Sequence, residues 1–330
     1  MPSAELSDAL MRLGLIASAD GVRMTPLTGG VSSDIILVVA GERCFCVKRA
    51  LPKLKVAALW EAPVERNAAE AAWMRATARW IPRAVPQVLA QDKAAVFFVM
   101  EYLPPENFPL WKAELLKGVV DVEFAAAVGR DLALIHSRSA ADPAIPEAFA
   151  NDVTFEAIRI EPYLRAAGGK HPHLASRLEE IAAITLKTKR ALVHGDVSPK
   201  NILKGPAGPV FLDAECAWFG DPAFDLAFCL NHLLLKGARS GVDKEPYLAA
   251  YAALMEAYLA GVDWEDAGEL EARAARLAPA LFLARVDGKS PVEYLTLDSE
   301  REAVRCCARP LIAKPPSRLA QIADAWSLRP

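Results

Sequence analysis

Residues His194 to Asn201 read HGDVSPKN, and twelve positions after Asn201 comes a second acidic group, Asp213, Ala214 and Glu215. This spacing limits what the chain can fold into. An H-x-D-x-x-x-x-N segment, a short apolar strand and a further Asp bring one amide and two carboxylates together only if a tight hairpin closes between them. Phosphoryl transfer uses such a trio: one carboxylate orients the attacking hydroxyl, while an amide and a second carboxylate hold magnesium on nucleotide phosphates.

The remaining composition is that of an ordinary globular protein. The 330 residues suffice for one large domain or two, with 53% hydrophobic and 24% charged side chains. A formal net charge of −3 offers no basic footprint for nucleic acid. The N-terminus, MPSAELSDAL, lacks a basic segment followed by an apolar run, so no secretory signal is expected. The apolar stretch from Val119 to Ile135 is interrupted by Asp121, Glu123, Arg130 and Asp131, which argues against a membrane span. A soluble, cytoplasmic protein is expected. The six cysteines, Cys44, Cys46, Cys216, Cys229, Cys306 and Cys307, show no paired C-x-x-C spacing, so zinc and a disulfide framework are both disfavoured. They read as reduced, mostly buried thiols.

The N-terminal third reads as strands around one helix. Val22–Thr28, Asp34–Ala40 and Arg43–Ala50 are β-branched or apolar runs punctuated by Gly29-Gly30 and Gly41, which predicts antiparallel strands. Glu65–Arg79 contains neither Gly nor Pro and predicts a helix, and strands resume at Gln87–Leu89 and Ala95–Tyr102. Pro104-Pro105 then marks a boundary between lobes, placing residues 1–103 in one and 104–330 in the other. Helices are expected at Val122–Ser137, His173–Lys189 and Phe224–Leu235, with a helix-rich remainder.

The first lobe holds candidates for binding a nucleotide. In CFCVKR, strand alternation sets Cys44, Cys46 and Lys48 on one face, which would cover the nucleotide. Lys48 is placed to contact phosphates if a carboxylate steadies it, and Glu70 is favoured over Glu61 and Glu65 because it lies mid-helix near Trp73 and Met74. Gly29, Gly30, Ser32 and Ser33, within LTGGVSSD, form a candidate phosphate loop; Asp34 reads as a turn cap. Met100, Glu101 and Leu103, just before the Pro pair, are placed to receive an adenine edge through backbone groups, with Met100 behind the base.

The ordered set GGVSS, Lys48, Glu70, MEYL, HGDVSPKN, DAE and GDPAFDLA resembles the aminoglycoside phosphotransferase and choline kinase group of the protein-kinase-like fold, over roughly Leu27 to Leu235. The resemblance implies an α+β, bilobal architecture: a small antiparallel-sheet N-lobe with one helix and a larger, mainly helical C-lobe. It also implies an ATP-dependent enzyme that phosphorylates a small-molecule hydroxyl on a sugar, amino alcohol or aminoglycoside. In it Asp196 is the catalytic base, Asn201 and Asp213 bind Mg2+, Lys48 and Glu70 position ATP, and His194 and Asp225 brace the loop; His136, ending a helix, reads as structural.

A protein substrate is disfavoured because GDPAF follows Asp213 within a few residues, leaving no room for an activation segment. The D-x-E of Asp213–Glu215 and the position of Arg285 are similar to methylthioribose kinases, which implies Glu215 near the metals and Arg285 by the substrate. Asn201 departs from that subgroup, which carries Ser there, and its paired arginines are here Ala284 and Arg285. The acidic run Asp263, Glu265, Asp266, Glu269 and Glu271 reads as a solvated helix face rather than a cleft for ammonium groups. A nucleotide-binding pseudokinase scaffold is the alternative of another class. The sequence carries no signal for oligomeric state.

Overall fold

The computed structural model describes residues 3–27, 33–51 and 64–328. The chain divides into two compact units, Met1–Pro104 and Pro105–Pro330.

The first unit is built on an antiparallel sheet of five strands in the order β1-β2-β3-β5-β4. These are β1 (Arg23–Leu27), β2 (Ser33–Ala40), β3 (Arg43–Ala50), β4 (Val88–Asp92) and β5 (Phe97–Glu101). β3 is an interior strand: Lys48 stands opposite Ile35 on β2 and Phe98 on β5. Side chains of a strand alternate between faces, and both faces here are covered. Val38, Phe45, Val47, Phe97 and Val99 form one apolar cluster with Leu6, Ala9 and Leu10 of helix α1 (Ser3–Arg12) and with Leu15 and Ile16 behind it.

The opposite face, bearing Cys46 and Lys48, belongs to helix α2 (Arg66–Trp80), whose buried residues include Glu70, Trp73 and Met74. Cys44 shares that face by alternation but is exposed, so only Cys46 and Lys48 are enclosed. The sequence reading had a single helix in this lobe and missed α1, although Leu6, Ala9 and Leu10 carry the three- and four-residue spacing of a helical stripe.

The second unit is mainly helical. Helix α3 (Trp111–Leu116) precedes the long helix α4 (Val122–Ala140), which is N-capped by Asp121 through a bond from Phe124 N at 3.0 Å. Two small antiparallel ladders pair β6 (Ala191–Val193) with β9 (Trp218–Gly220), and β7 (Ile202–Gly205) with β8 (Gly208–Phe211). Later helices run over Ala223–Gly237, Glu245–Leu259, Ala267–Asp287, Asp298–Ala313 and Ala320–Ser327. Among the described residues, no helix is long and apolar enough to cross a membrane.

The acidic run is a solvated face only in part: Asp263, Asp266 and Glu269 are exposed, while Glu265 and Glu271 are turned to partners. Glu265 pairs with Arg273 at 2.8 Å, and Arg273 also holds Asp221 at 3.1 Å. Asp266 caps its helix by accepting from Glu269 N at 2.9 Å. Glu271 is buried, accepts from Leu319 N at 3.0 Å and pairs with Arg318 at 3.2 Å. Charge runs hide their partners when those lie elsewhere in the chain.

Helix α4 packs against the Glu245–Leu259 helix at Gly129, where an added Cβ would lie 2.4 Å from Leu254 O and 3.1 Å from Tyr258 N. Both are backbone atoms that move only if a helix moves. Gly129→Ala is therefore expected to lower the Tm, although Ala in a helix is intrinsically favoured over Gly by about 1 kcal/mol. A thermal melt in which the variant is as stable as the parent would contradict this close approach.

Candidate active site

Buried strand β6 delivers the chain into His194-Gly195-Asp196, a loop held by one carboxylate. Asp225, fully buried near the start of the Ala223–Gly237 helix, accepts from His194 N at 2.6 Å and Gly195 N at 2.8 Å. His136 Nε2 lies 3.3 Å from the same carboxylate, and its Nδ1 lies 2.7 Å from the Tyr258 hydroxyl. Gly195 has φ +79, and a Cβ there would stand 2.8 Å from Cys216 Cβ and 2.9 Å from Cys216 O. Conformation and space both require glycine.

The His194 ring completes the brace. Its Nδ1 accepts from Asp196 N at 3.1 Å, so the proton sits on Nε2, which donates to Leu212 O at 3.0 Å. Burial lowers the imidazole pKa, against the opposing pull of Asp225, Asp196 and Asp213, and the ring remains neutral. His194 thus joins the loop to the strand that ends at Asp213.

Asp196 is buried with its two oxygens in unlike settings. Oδ2 takes Arg159 Nη2 at 3.0 Å and Lys200 Nζ at 2.9 Å. Oδ1 has no hydrogen-bond partner among the described residues. Burial raises the carboxyl pKa, but Lys200 and Arg159 outweigh it against opposition from Asp213, leaving the group below the ordinary Asp value. Asp196 is therefore an anion at neutral pH with one acceptor oxygen uncommitted.

Asn201 and Asp213 flank the β7–β8 hairpin. Leu212 N donates to Asn201 O at 2.9 Å, closing the ladder in which Ile202 faces Phe211. Asn201 Nδ2 donates to Asp196 O at 3.1 Å, which assigns the amide and leaves Oδ1 as its acceptor end. Asp213 adopts φ +66, a left-handed conformation that Asp tolerates better than most residues and that often marks functional sites. Glu215 is buried two residues on and acts electrostatically on Arg159. Among the described residues no three His, Cys, Asp or Glu side chains form a metal cage. A cation bound chiefly by phosphates needs only one or two protein carboxylates, and this donor set fits that chemistry.

In the first unit, Lys48 Nζ meets Glu70 Oε1 at 2.7 Å with both side chains almost wholly buried. Asn67 Nδ2 bonds Lys48 O at 3.2 Å, tying α2 to the same strand. Burial, aided by Cys44, pushes the Cys46 thiol up to about 12, so it stays protonated. Met100 is buried at the end of β5. The Glu101 N–H is not free as expected: it donates at 2.9 Å to the carbonyl of Gln87, the residue just before β4. Ser33 is buried and paired opposite Ala50 as the first residue of β2. Gly29, Gly30 and Ser32 lie outside the described residues, as does Glu61.

Arg285 does not contact Asp196. Its guanidinium bonds Ser290 O, Ser290 Oγ at 3.0 Å and the Tyr163 hydroxyl at 3.3 Å, and sits 5.6 Å from the Tyr163 ring centre. Arg159 faces the same ring at 5.8 Å. Tyr163 thus stands between the arginine on Asp196 and the arginine singled out in the sequence.

Sequence reasoning missed Arg159 and Tyr163, which lie on a ten-residue π-helical segment, Glu156–Arg165. Such segments are rare and frequently found at functional sites. It also missed His232 and Lys236, which lie one turn apart on a helix buried along its whole length. Two basic residues in a largely apolar helix were the available signal.

Lys236 is 1% exposed, and burial first, then Lys112 and Arg285, lowers its pKa from 10.5 to about 7; Cys229 and Glu293 oppose the shift. Between about pH 7 and 10.5 the unfolded chain binds a proton that the folded chain does not. Stability attributable to this residue therefore rises with pH across that window. Lys236→Met should raise the Tm at pH 7, and the gain should shrink as pH approaches 10.5. Parallel melts at the two ends of the window check this; a gain independent of pH would contradict the assignment.

Comparison with known proteins places the chain. The profile of the Phosphotransferase enzyme family (APH) matches residues 23–270. A methylthioribose kinase of Erwinia tasmaniensis is 28% identical over 263 residues, spanning 66% of this chain and 65% of that relative's length. Among solved structures, a choline/ethanolamine kinase family protein from Mesorhizobium loti aligns over 99% of both chains at 17% identity with a TM-score of 0.57. An amicoumacin kinase in complex with AMP-PNP, Ca2+ and its ligand aligns over 96% of this chain and 95% of that one, at 14% identity and a TM-score of 0.60. The chain belongs to the Phosphotransferase enzyme family and has its α+β, protein-kinase-like fold.

Proposed function

We propose that this protein is an ATP-dependent small-molecule O-phosphotransferase that moves the γ-phosphate of ATP onto an acceptor hydroxyl. The observation that carries the reading is the uncommitted Oδ1 of buried Asp196, beside an Oδ2 fixed by Arg159 and Lys200. Two cations on one oxygen set the plane of the carboxylate and keep it ionised. The other oxygen is then oriented to accept a hydrogen bond from an acceptor alcohol, align its lone pair on the γ-phosphorus and take its proton late in transfer. A scaffold without catalytic function offers no reason to bury an unpaired carboxylate oxygen, whose desolvation disfavours folding.

Asn201 and Asp213, with Glu215, would hold the divalent cation, read here as Mg2+, which when bound offsets phosphate charge. In the first unit the Lys48–Glu70 pair is assigned to the α- and β-phosphates, with Gly29, Gly30, Ser32 and Ser33 as the phosphate loop. Met100 and Leu103, together with the Glu101 carbonyl, are assigned to adenine, and buried Cys46 to the sheet face beneath the nucleotide. We assign residues 1–103 to ATP binding and 104–330 to catalysis and acceptor binding. We place the protein in the cytoplasm, where ATP is supplied.

A methylthioribose-like sugar kinase is the second reading. It is supported by the likeness to the Erwinia relative and by the D-x-E of Asp213–Glu215.

Asp196→Asn keeps the shape of the side chain but weakens the acceptor. Transfer is expected to fall by about a hundred- to ten-thousandfold, while affinity for Mg-ATP measured by calorimetry stays near that of the parent. Parent-like turnover in the variant would remove Asp196 from the role of base.

A further inference from the structure

The second unit also carries a concentration of buried basic side chains that the transfer step does not use. His232 and Lys236 are 4% and 1% exposed on the Ala223–Gly237 helix. Among the described residues the Lys236 ammonium has no carboxylate partner: it donates to His232 O at 3.3 Å and faces the Tyr294 ring at 5.0 Å. The acid that bears on it, Glu293, is ion-paired with Lys112. Arg285, 7% exposed, forms no ion pair among the described residues and is held by Ser290 and Tyr163.

Three polar atoms in this group are buried without a partner among the described residues: His232 Nε2, the Tyr294 hydroxyl and Arg285 Nε. Each can donate. Buried charges and donors are normally compensated, and a set left uncompensated together points to a ligand that completes it.

The group is joined to the reacting carboxylate through a chain of rings in edge-on and tilted contact. The His232 ring lies 5.2 Å from Phe228, which lies 5.6 Å from Tyr163. The Tyr163 ring faces Arg159, which holds Asp196. A cavity of about 400 Å³ opens on the flank of Arg285, lined also by Val292, Glu293, Thr296 and Arg301.

We propose that the acceptor carries an anionic group, a carboxylate or a phosphate, in addition to the hydroxyl it presents to Asp196, and that Lys236, His232, Tyr294 and Arg285 receive that group. The inference rests on the phosphotransferase reading and narrows it. A polycationic acceptor would meet like charge, and a neutral sugar would leave Lys236 and Arg285 uncompensated.

The test uses the full chain with Mg-ATP and acceptors matched except in charge: glycerate and glycerol 3-phosphate against glycerol, gluconate against glucose, and choline and kanamycin as cations. At least one acid should exceed its neutral counterpart by about tenfold or more in kcat/KM, and the better of glycerate and glycerol 3-phosphate separates carboxylate from phosphate. Lys236→Met should raise the KM for that acid by about tenfold, leave the KM for ATP unchanged and abolish the preference for charge. Preference for a neutral or cationic acceptor overturns the proposal. So does a rise in the KM for ATP in the variant, which would assign the cations to the nucleotide phosphates.

Thermal shift without ATP keeps the two readings separable. Stabilisation by the acids but not by glycerol or glucose, lost in Lys236→Met, supports the anion site even if no acceptor is phosphorylated, in which case it is the transfer reading that fails. Equal shifts for charged and neutral members overturn the anion site whatever the turnover.

Discussion

The structure depends on the grip of the Asp225 carboxylate on two consecutive amides, those of His194 and Gly195. A loop that turns sharply at a left-handed glycine exposes N–H groups that neither helix nor strand can satisfy, and a buried anion accepting both is among the stronger ways to hold it. His136 sets that anion from α4, and Tyr258 sets His136 from the Glu245–Leu259 helix. The position of Asp196 is thereby tied to the packing of three helices. His194 extends the same constraint to Leu212 and so to the hairpin that carries Asn201 and Asp213.

Arg159 connects this frame to the chemistry. Its guanidinium bonds Gly195 O, Ile158 O and Asp196 Oδ2, so one side chain fixes both the loop backbone and the carboxylate it presents. Lys200 takes the same oxygen from the following turn. The two oxygens of Asp196 are made unlike by charge on one side only, and the role of general base proposed for it rests on this asymmetry. Beyond Tyr163 the buried basic side chains continue into Arg285, His232 and Lys236, and there the partner is assigned to the acceptor.

Much of this was legible in the sequence where the chemistry is contiguous. HGDVSPKN and DAE are separated by a hairpin only, so spacing alone places their side chains near one another. Lys48 and Glu70 were legible because a strand and the helix that covers it are close in the chain, and the mid-helix position singled out one acid from three.

Arg159, Tyr163, His232 and Lys236 were not legible, because nothing local links a π-helical segment at residue 159 to a loop at 196. Their association is made by tertiary packing alone. Within the acidic run, Glu265 and Glu271 were misread for the same reason: Arg273, Arg318 and the Leu319 amide that occupy them are supplied by folding. The N–H of Glu101 was misread as free because Gln87, just before β4, runs alongside and takes it.

The most direct measurement of the central claim is phosphoryl transfer itself. Protein, magnesium and ATP labelled at the γ-phosphate, incubated with a fractionated metabolite extract, are predicted to yield ADP and a labelled organic phosphate confined to particular fractions, with little inorganic phosphate. Tight ATP binding with no labelled product in any fraction would contradict the account and leave a nucleotide-binding scaffold.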